Sequence, residues 1–557
     1  MARFRMRALV ALLMAAAASC SGPPAHLVLR GGTVWVSAED GPYEAIAVRD
    51  GYVLALGSDA DAESWIGPNT EVVELEGRAA YPGFADGHAH LMGIGALERE
   101  LDLVGTTSYA EVVARAVEAA AELSEGQWLV GRGWDQNDWA EADFPHHGSL
   151  SDALPDLPVV LTRVDGHALL ANEAAMRAAG ITPATPDPAG GRILRGADGK
   201  PTGVFIDAAE SLVLQAMPTA TQAQRVDAAR RGIAALHRAG ITSVHDAGAS
   251  RDDISAYEYL VREERFPLRA HVMVSGGDAA ALEWWLQQGP QYDYWGAGLL
   301  TVRAVKIYAD GALGSRGAAL LADYSDEPGN RGLVLTPEAR LRALAEDCRA
   351  AGFQVCTHAI GDRANRLVLD AYETVLGADA ERDHRWRVEH AQVLHADDVP
   401  RFAALGVIPA MQAQHQASDM PWAEERLGPD RVTGAYAWRS LLDSGAVIAG
   451  GSDAPVERLD VVALFIASVW RVTRDGEPLG GWHAEQAMTR EEALRSLTEW
   501  PAYAAFRERQ EGTLQRGRRA DITVVDRDLM SSSREDLADA QVWMTVFDGA
   551  VVYRRAE

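Results

Sequence analysis

Through the middle of this chain, short apolar runs that read as strands alternate with stretches of helical period, and that alternation leaves few architectures open. Helical periodicity is clear over Tyr109–Glu122, Thr221–Ala239, Pro337–Ala351 and Arg490–Leu497. The strand-like runs include WLVGRGW (128–134), PVVLTRVDGHA (158–168), ITSVHDAG (241–248), LRAHVMVSG (268–276) and VRAVKIYADGALG (302–314). They continue with FQVCTHAIGD (353–362), WRVEHAQ (386–392), GVIPAMQ (406–412) and AVIAGGSDAPV (446–456). Strands separated by helices pair in parallel, because each crossover returns the chain to the same end of the sheet. The pattern predicts an α/β fold over 84–509, a (β/α)8 TIM-type barrel. There are more strands than eight, so an insertion is expected at roughly 125–225, where the Gly/Pro-rich segment 180–203 lies.

Both ends of the chain read differently. Residues 27–83 and 510–557 are β-rich, and Asp-Gly pairs at 50–51 and 548–549 mark hairpin turns between apolar runs. Strand pieces at both ends of a helix-rich middle suggest one small β-sandwich domain built from the two termini. At 557 residues and 48% hydrophobic, the chain can bury a large core in more than one unit. Acidic residues outnumber basic ones 80 to 52, which disfavours nucleic acid or an anionic membrane face as a partner.

The first residues carry a targeting signal. Arg3, Arg5 and Arg7 precede the apolar run Ala8–Ala18, which is too short to span a bilayer, and Ala17-Ala18-Ser19-Cys20 follows. The pattern resembles a bacterial lipobox. It implies a signal peptide of lipoprotein type over 1–19, lipidation of Cys20, and export to the cell envelope or periplasm. Membrane contact would then come only through the N-terminal lipid. Ala17 stands where a larger aliphatic residue is usual, so plain secretion stays open. The remaining cysteines, Cys348 and Cys356, read as buried free thiols.

Chemistry is concentrated around YPGFADGHAHL (81–91). If Phe84–His90 is a strand, His88 and His90 share a face and can hold one divalent ion from a rigid base. Fifteen histidines in a chain of this length produce roughly 0.4 such HxH pairs by chance, so the pair needs partners elsewhere. They exist: Lys306, His358, His390 and Asp453 each end a predicted strand, where a barrel places its active site.

This order of residues resembles the amidohydrolase superfamily. The phrases GWDQ (133–136), VDGHALLAN (164–172), VKIYADGALGSRGAAL (305–320), HAIGDRA (358–364), RVEHAQ (387–392) and GSDAPV (451–456) are similar to the branch that includes N-substituted formamide deformylases. The resemblance implies His88 and His90 on one metal, His358 and His390 on a second, and a CO2-derived carbamate on Lys306 bridging both. Two Zn²⁺ ions are the expectation, with Mn²⁺ or Fe²⁺ able to substitute. It further implies Asp453 as a metal ligand and as the catalytic acid and base, serving a metal-activated hydroxide. Asp453 could instead cap a helix in GSDAP.

The expected activity is hydrolysis of a non-peptide carbon–nitrogen bond, of amide or N-formyl type, in a small molecule. Ester or lactone hydrolysis by the same site, and a binding lipoprotein without activity, are the readings that stand beside it. A homodimer is left open. Other residues are weighed as contributors. Gln136 and His167 could face the substrate. His245 and Asp246, ending what reads as the third barrel strand, could support a metal-binding histidine from behind. Arg316 could orient a substrate carboxylate or pair with Asp310. Glu389 is expected to point away from the metal face, His146-His147 to lie on the surface, and Trp134, Trp139 and Trp422 to pack or to wall the pocket.

Mass spectrometry of the natively produced protein should find a chain that begins at a lipid-modified Cys20. An unmodified chain starting beyond Cys20 would select plain secretion.

Overall fold

Eight strands carry the predicted site, and the structure, a computed structural model, arranges them in one parallel sheet that is nearly closed on itself. It describes residues 24–556 apart from 122, 124–126, 189 and 295–297, so the predicted signal peptide and Cys20 lie outside the described residues. The strands are β1 (Phe84–Ala89), β2 (Ile241–Ala249), β3 (Arg269–Ser275), β4 (Leu300–Tyr308), β5 (Gln354–Ala359), β6 (Arg387–His390), β7 (Ile408–Gln412) and β8 (Ala449–Gly451). Each pairs in parallel with the next. Every residue of β1, β5, β6 and β7 is buried, as expected for strands covered on one face by helices and on the other by the barrel interior. Helices fall close to where periodicity puts them. The helix Gln222–Arg238 opens with a reciprocal cap between Thr221 and Gln224, and Glu338–Ala351 ends on left-handed Gly352.

Closure occurs where β1 meets β8. A Cβ on Gly87 would lie 2.5 Å from the Gly450 carbonyl oxygen, and one on Gly451 would lie 2.4 Å from the His88 nitrogen. Only glycine lets the two backbones approach this closely. Beyond the strands the contact continues: Asp453 N donates to His88 O at 2.7 Å, and His90 N donates to Ala454 O at 2.8 Å. Asp86 accepts from Ser452 N at 2.9 Å and from His88 N at 3.1 Å.

The insertion forms its own six-stranded sheet, in the order Gly191–Arg195, Pro201–Asp207, Ala168–Ala171, Val159–Arg163, Leu129–Trp134, Leu101–Asp102. It starts well before the expected 125. The two-residue strand at Leu101 is too short to read from sequence, and the helix Tyr109–Ala120 turns Val112 and Ala116 against this sheet's own core. Consequently the strand bearing His245 is the second of the barrel and not the third.

The chain ends contribute two further sheets. One has four strands, Tyr52–Gly57, Ala45–Arg49, Leu27–Arg30 and Glu71–Glu74; the other has five, Thr33–Val34, Ala79–Pro82, Ile522–Val525, Val542–Phe547 and Ala550–Arg554. Leu29, Val48 and Val73 from the first share an apolar cluster with Ile522, Met544 and Val546 from the second. Both Asp-Gly pairs form tight hairpin turns, with φ of 53° and 78° at 50–51 and of 49° and 81° at 548–549. Cys348 and Cys356 are free and buried, and burial pushes the Cys348 thiol up to about 12.

Ion pairs from buried Arg269 tie the barrel to the sheet made from both ends, the shortest of them to Asp521. Arg269, at the start of β3, donates from Nε to Asp521 at 2.6 Å and from Nη2 to the other oxygen at 3.1 Å. Both side chains are buried. Replacing Arg269 by Met should leave Asp521 buried without its partner and cost about 3–5 kcal/mol. A denaturant-unfolding midpoint would show this, and adding Asp521→Asn should recover part of the loss.

Candidate active site

The predicted residues converge at the C-terminal mouth of the barrel. His88 and His90 leave β1, Lys306 lies near the end of β4, and His358 near the end of β5. His390 ends β6, and Asp453 follows β8. Asp453 Oδ1 lies 3.0 Å from His90 Nε2 and 3.3 Å from His88 Nε2. Lys306 Nζ lies 3.1 Å from His88 Nε2. The His390 ring stands 4.9 Å from that of His88 and 4.5 Å from that of His358, centroid to centroid. His390 and Asp453 take φ of 72° and 61°, a left-handed backbone unusual outside glycine. Such strain is held only where surrounding contacts fix it, and it gathers at functional sites. No helix starts at Asp453. The next begins at Val461 and is capped by Asp460, which removes the capping alternative.

These residues fit a cation. His88, His90 and Asp453, and likewise His390, His415 and Asp453, each offer donor atoms lying within 4.8 Å of one another. The buried Nε2 atoms of His358 and His415 have no hydrogen-bond partner, an expensive arrangement unless an ion takes the lone pair. Burial holds the His358 and His390 imidazoles well below their ordinary pKa, in the neutral form that ligates. Burial raises the Asp453 carboxyl, but hydrogen bonds and charge from His88 and His90 outweigh it and hold the group well below the usual range. Burial also lowers the pKa of Lys306, against the pull of Glu389 and Asp453.

Glu389 corrects an expectation. Instead of pointing away, it turns into the barrel interior and makes a very short hydrogen bond to Nδ1 of His88. Arg387 grips the same carboxylate through Nε at 2.8 Å and Nη2 at 2.7 Å, and Nη2 also donates to Gly87 O at 2.6 Å. Burial would raise the Glu389 carboxyl, yet Arg387 and His88 hold it far below the usual range. A carboxylate on Nδ1 fixes the His88 tautomer and leaves Nε2 facing the site.

His245 donates to or accepts from no predicted ligand. Its Nδ1 lies 2.7 Å from Arg387 Nη1, so it acts on His88 only through Arg387 and Glu389. Asp246 accepts from Leu91 N and Tyr257 Oη, both at 2.8 Å, and so fixes the turn after His90. Gln136 accepts from Arg163 Nε at 2.9 Å, supporting that arginine from behind. Arg316 does neither thing expected of it, because it pairs with Asp326 at 2.9 Å, away from the cavity. Asp310 instead takes the backbone N–H groups of Ala319, Ile360 and Gly361, and burial raises it to about 7.

His167 does reach the site. Its ring lies 5.6 Å from that of His358, and its Nδ1 lies 2.7 Å from Asp207. Burial opposes protonation, but Asp207 prevails and lifts His167 to about 9. Trp134 and Trp139 belong to the insertion's core, whereas Trp422 walls the cavity. His146 is exposed, and His147 lies half-buried against Ser151.

Sequence reasoning missed His415, which lies three residues beyond β7 with its Nε2 3.5 Å from Asp453. The one signal available was a lone histidine just past a strand end. It also missed Gln412, whose Oε1 lies 2.8 Å from His390 Nδ1, and Tyr308, whose ring lies 5.5 Å from that of His358. All six predicted ligand residues except buried His88 line one cavity of about 470 Å³, roofed by the insertion through Arg132, Arg163 and His167.

A family model described as the amidohydrolase family matches residues 71–553. YtcJ of Bacillus subtilis (strain 168), named as an amidohydrolase, is 34% identical over 95% of this chain and 99% of its own. LONG AFTER FAR-RED 3 of Arabidopsis thaliana is 32% identical, over 96% of this chain and 92% of its own. The N-substituted formamide deformylase of Arthrobacter pascens is 27% identical over 95% and 98%. Among solved structures, an uncharacterized metal-dependent hydrolase from Pyrococcus horikoshii OT3 superposes with a TM-score of 0.73. It is 26% identical and covers 91% of this chain and 99% of its own. With the barrel, the histidine-rich mouth and these full-length similarities in agreement, the chain belongs to the amidohydrolase family of metal-dependent hydrolases.

Proposed function

We propose that this protein hydrolyses a non-peptide carbon–nitrogen bond, of amide or N-formyl type, in a small molecule. The observation that carries the reading is the convergence of His88, His90, Lys306, His358, His390 and Asp453 at one barrel mouth. An inactive binding protein would have no reason to keep this set complete. The deformylase relative supports the bond type, since its own name states such an activity and its similarity spans nearly the whole chain.

When bound, divalent ions supply Lewis acidity toward a carbonyl oxygen and lower the pKa of water. His88, His90, His358 and His390 would hold them, and Lys306, if N-carboxylated, would add two anionic oxygens. Lysine fits that role here because it is buried and burial lowers its pKa, which raises the share of the neutral amine, the form that reacts with CO2. Asp453 is ionised and sits against both β1 histidines, so it can accept a proton at Oδ and return it to the leaving nitrogen. Glu389 keeps the His88 lone pair on Nε2. Protonated His167, braced by Asp207, presents a fixed positive charge beside His358 and can orient the carbonyl. The reading extends to export, with Cys20 as the lipid-bearing residue.

Elemental analysis after gentle purification should give close to two equivalents of divalent metal, most readily Zn²⁺. Glu389→Gln should weaken metal binding about ten- to a hundredfold while the ligands themselves remain. A metal titration unchanged in that variant would remove Glu389 from the site.

Asp453→Asn should fold normally, retain most of its metal and lose about 10²–10⁴ in kcat. The assay is a screen of the metal-loaded enzyme over amides, N-formyl compounds, esters and lactones. Near-full activity in the variant would exclude the proton-transfer role, and turnover of esters alone would exclude the bond type.

A further inference from the structure

Arg132 stands where two cavities meet, and among the described residues no carboxylate forms an ion pair with it. It lies on the insertion strand Leu129–Trp134 and lines both the active cavity and an adjoining one of about 430 Å³. Its Nη2 donates to the Val164 carbonyl at 2.9 Å, while its Nε is buried with no partner. Gly166 leaves room for the guanidinium, since a Cβ there would lie 3.1 Å from Nη2.

Several carboxylates feel this charge without touching it. Burial lowers the Arg132 pKa, and Asp453, Glu100, Asp165 and Glu210 oppose that in this order. Among the described residues none forms an ion pair with Arg132, and two are engaged elsewhere: Asp165 with Arg163 and His167 N, Asp453 with His88 and His90. Neighbouring Arg163 shows the contrast. Asp135, Asp165 and Gln136 bind it on three sides, which leaves it few free donors.

A guanidinium keeps its charge, and its planar fork matches a carboxylate in a bidentate way. Leaving such a fork half-used and partly desolvated at the junction of two cavities is costly unless a ligand completes it. The adjoining cavity has an apolar wall of Ile94, Leu97, Pro455 and Leu459, and it is also lined by the charged residues Glu98, Asp102, Arg238, Glu457 and Arg458. We infer that Arg132 receives a carboxylate carried by the substrate near the scissile bond, with an apolar substituent lodged in the adjoining cavity. This rests on the proposed reading of the active cavity and adds the substrate's charge and shape to it.

The test uses the full-length, metal-loaded protein and a ligand it cannot cleave. 2-Isobutyl-4-oxopentanoate is N-acetyl-leucine with CH2 in place of the amide NH; its carboxamide is the uncharged control. Calorimetry should show the acid binding roughly 10–100-fold more tightly than the carboxamide. Arg132→Gln should bring that ratio close to one, and Arg132→Lys, which keeps the charge and loses the fork, should fall between. Circular dichroism and metal content would verify each variant, and Arg132→Lys alone decides the matter if Arg132→Gln fails to fold. Equal affinity for acid and carboxamide in the wild type, binding of neither, or full selectivity in the folded variants would each overturn the inference. Hydrolysis of N-acetyl-leucine is measured separately. Its absence beside Arg132-dependent binding would remove amide hydrolysis and leave the anion site standing.

Discussion

The structure depends on the seam at which the first and last barrel strands meet. Gly87 and Gly451 remove every side-chain atom from that line, and the backbones of 88–90 and 453–454 then bond to each other directly. Because Asp453 N is tied to His88 O, the positions of the carboxylate and of the two histidines are a single geometric fact. A methyl group on either glycine would separate the strands and, with them, the donor atoms. Barrel closure and the geometry of the proposed metal-binding residues are therefore set by the same few atoms.

Beneath the seam lies a buried charge chain with no aqueous alternative. His245, Arg387, Glu389 and His88 are all fully buried, and each touches the next in that order. Buried ions are tolerated only when paired and hydrogen-bonded, and removing one member leaves its neighbour uncompensated. The chain is rigid for that reason, and rigidity is what a metal-binding imidazole requires from the residues behind it. Above the mouth the logic reverses: the insertion provides Arg132 and Arg163 from two neighbouring strands and His167 from the turn that follows, the part of such folds that varies with substrate.

The barrel was legible in the sequence because parallel strands buried on both faces read as continuous apolar runs between amphipathic helices. The site was legible because its residues end those runs. What escaped notice did so for identifiable reasons. Alternation along a strand puts Glu389 and His390 on opposite faces, but His390 is already left-handed, so both can serve the site. His415 sits on a helix just past β7, with no motif to mark it. The insertion's first strand has two residues, fewer than any periodicity can reveal. Arg316 looked functional within a motif and proved to be a loop tie to Asp326, a pairing ten residues away that spacing alone does not single out.

The pairing of Ala79–Pro82 with Ile522–Val525 has a consequence for biosynthesis. About 440 residues separate Pro82 from its partner Ile522, so at roughly 5–20 residues per second the early strand waits from some twenty seconds to a minute and a half on the ribosome. During that interval one edge of Ala79–Pro82 is unsatisfied and open to any extended segment nearby. A product truncated before residue 522 would keep that edge permanently bare.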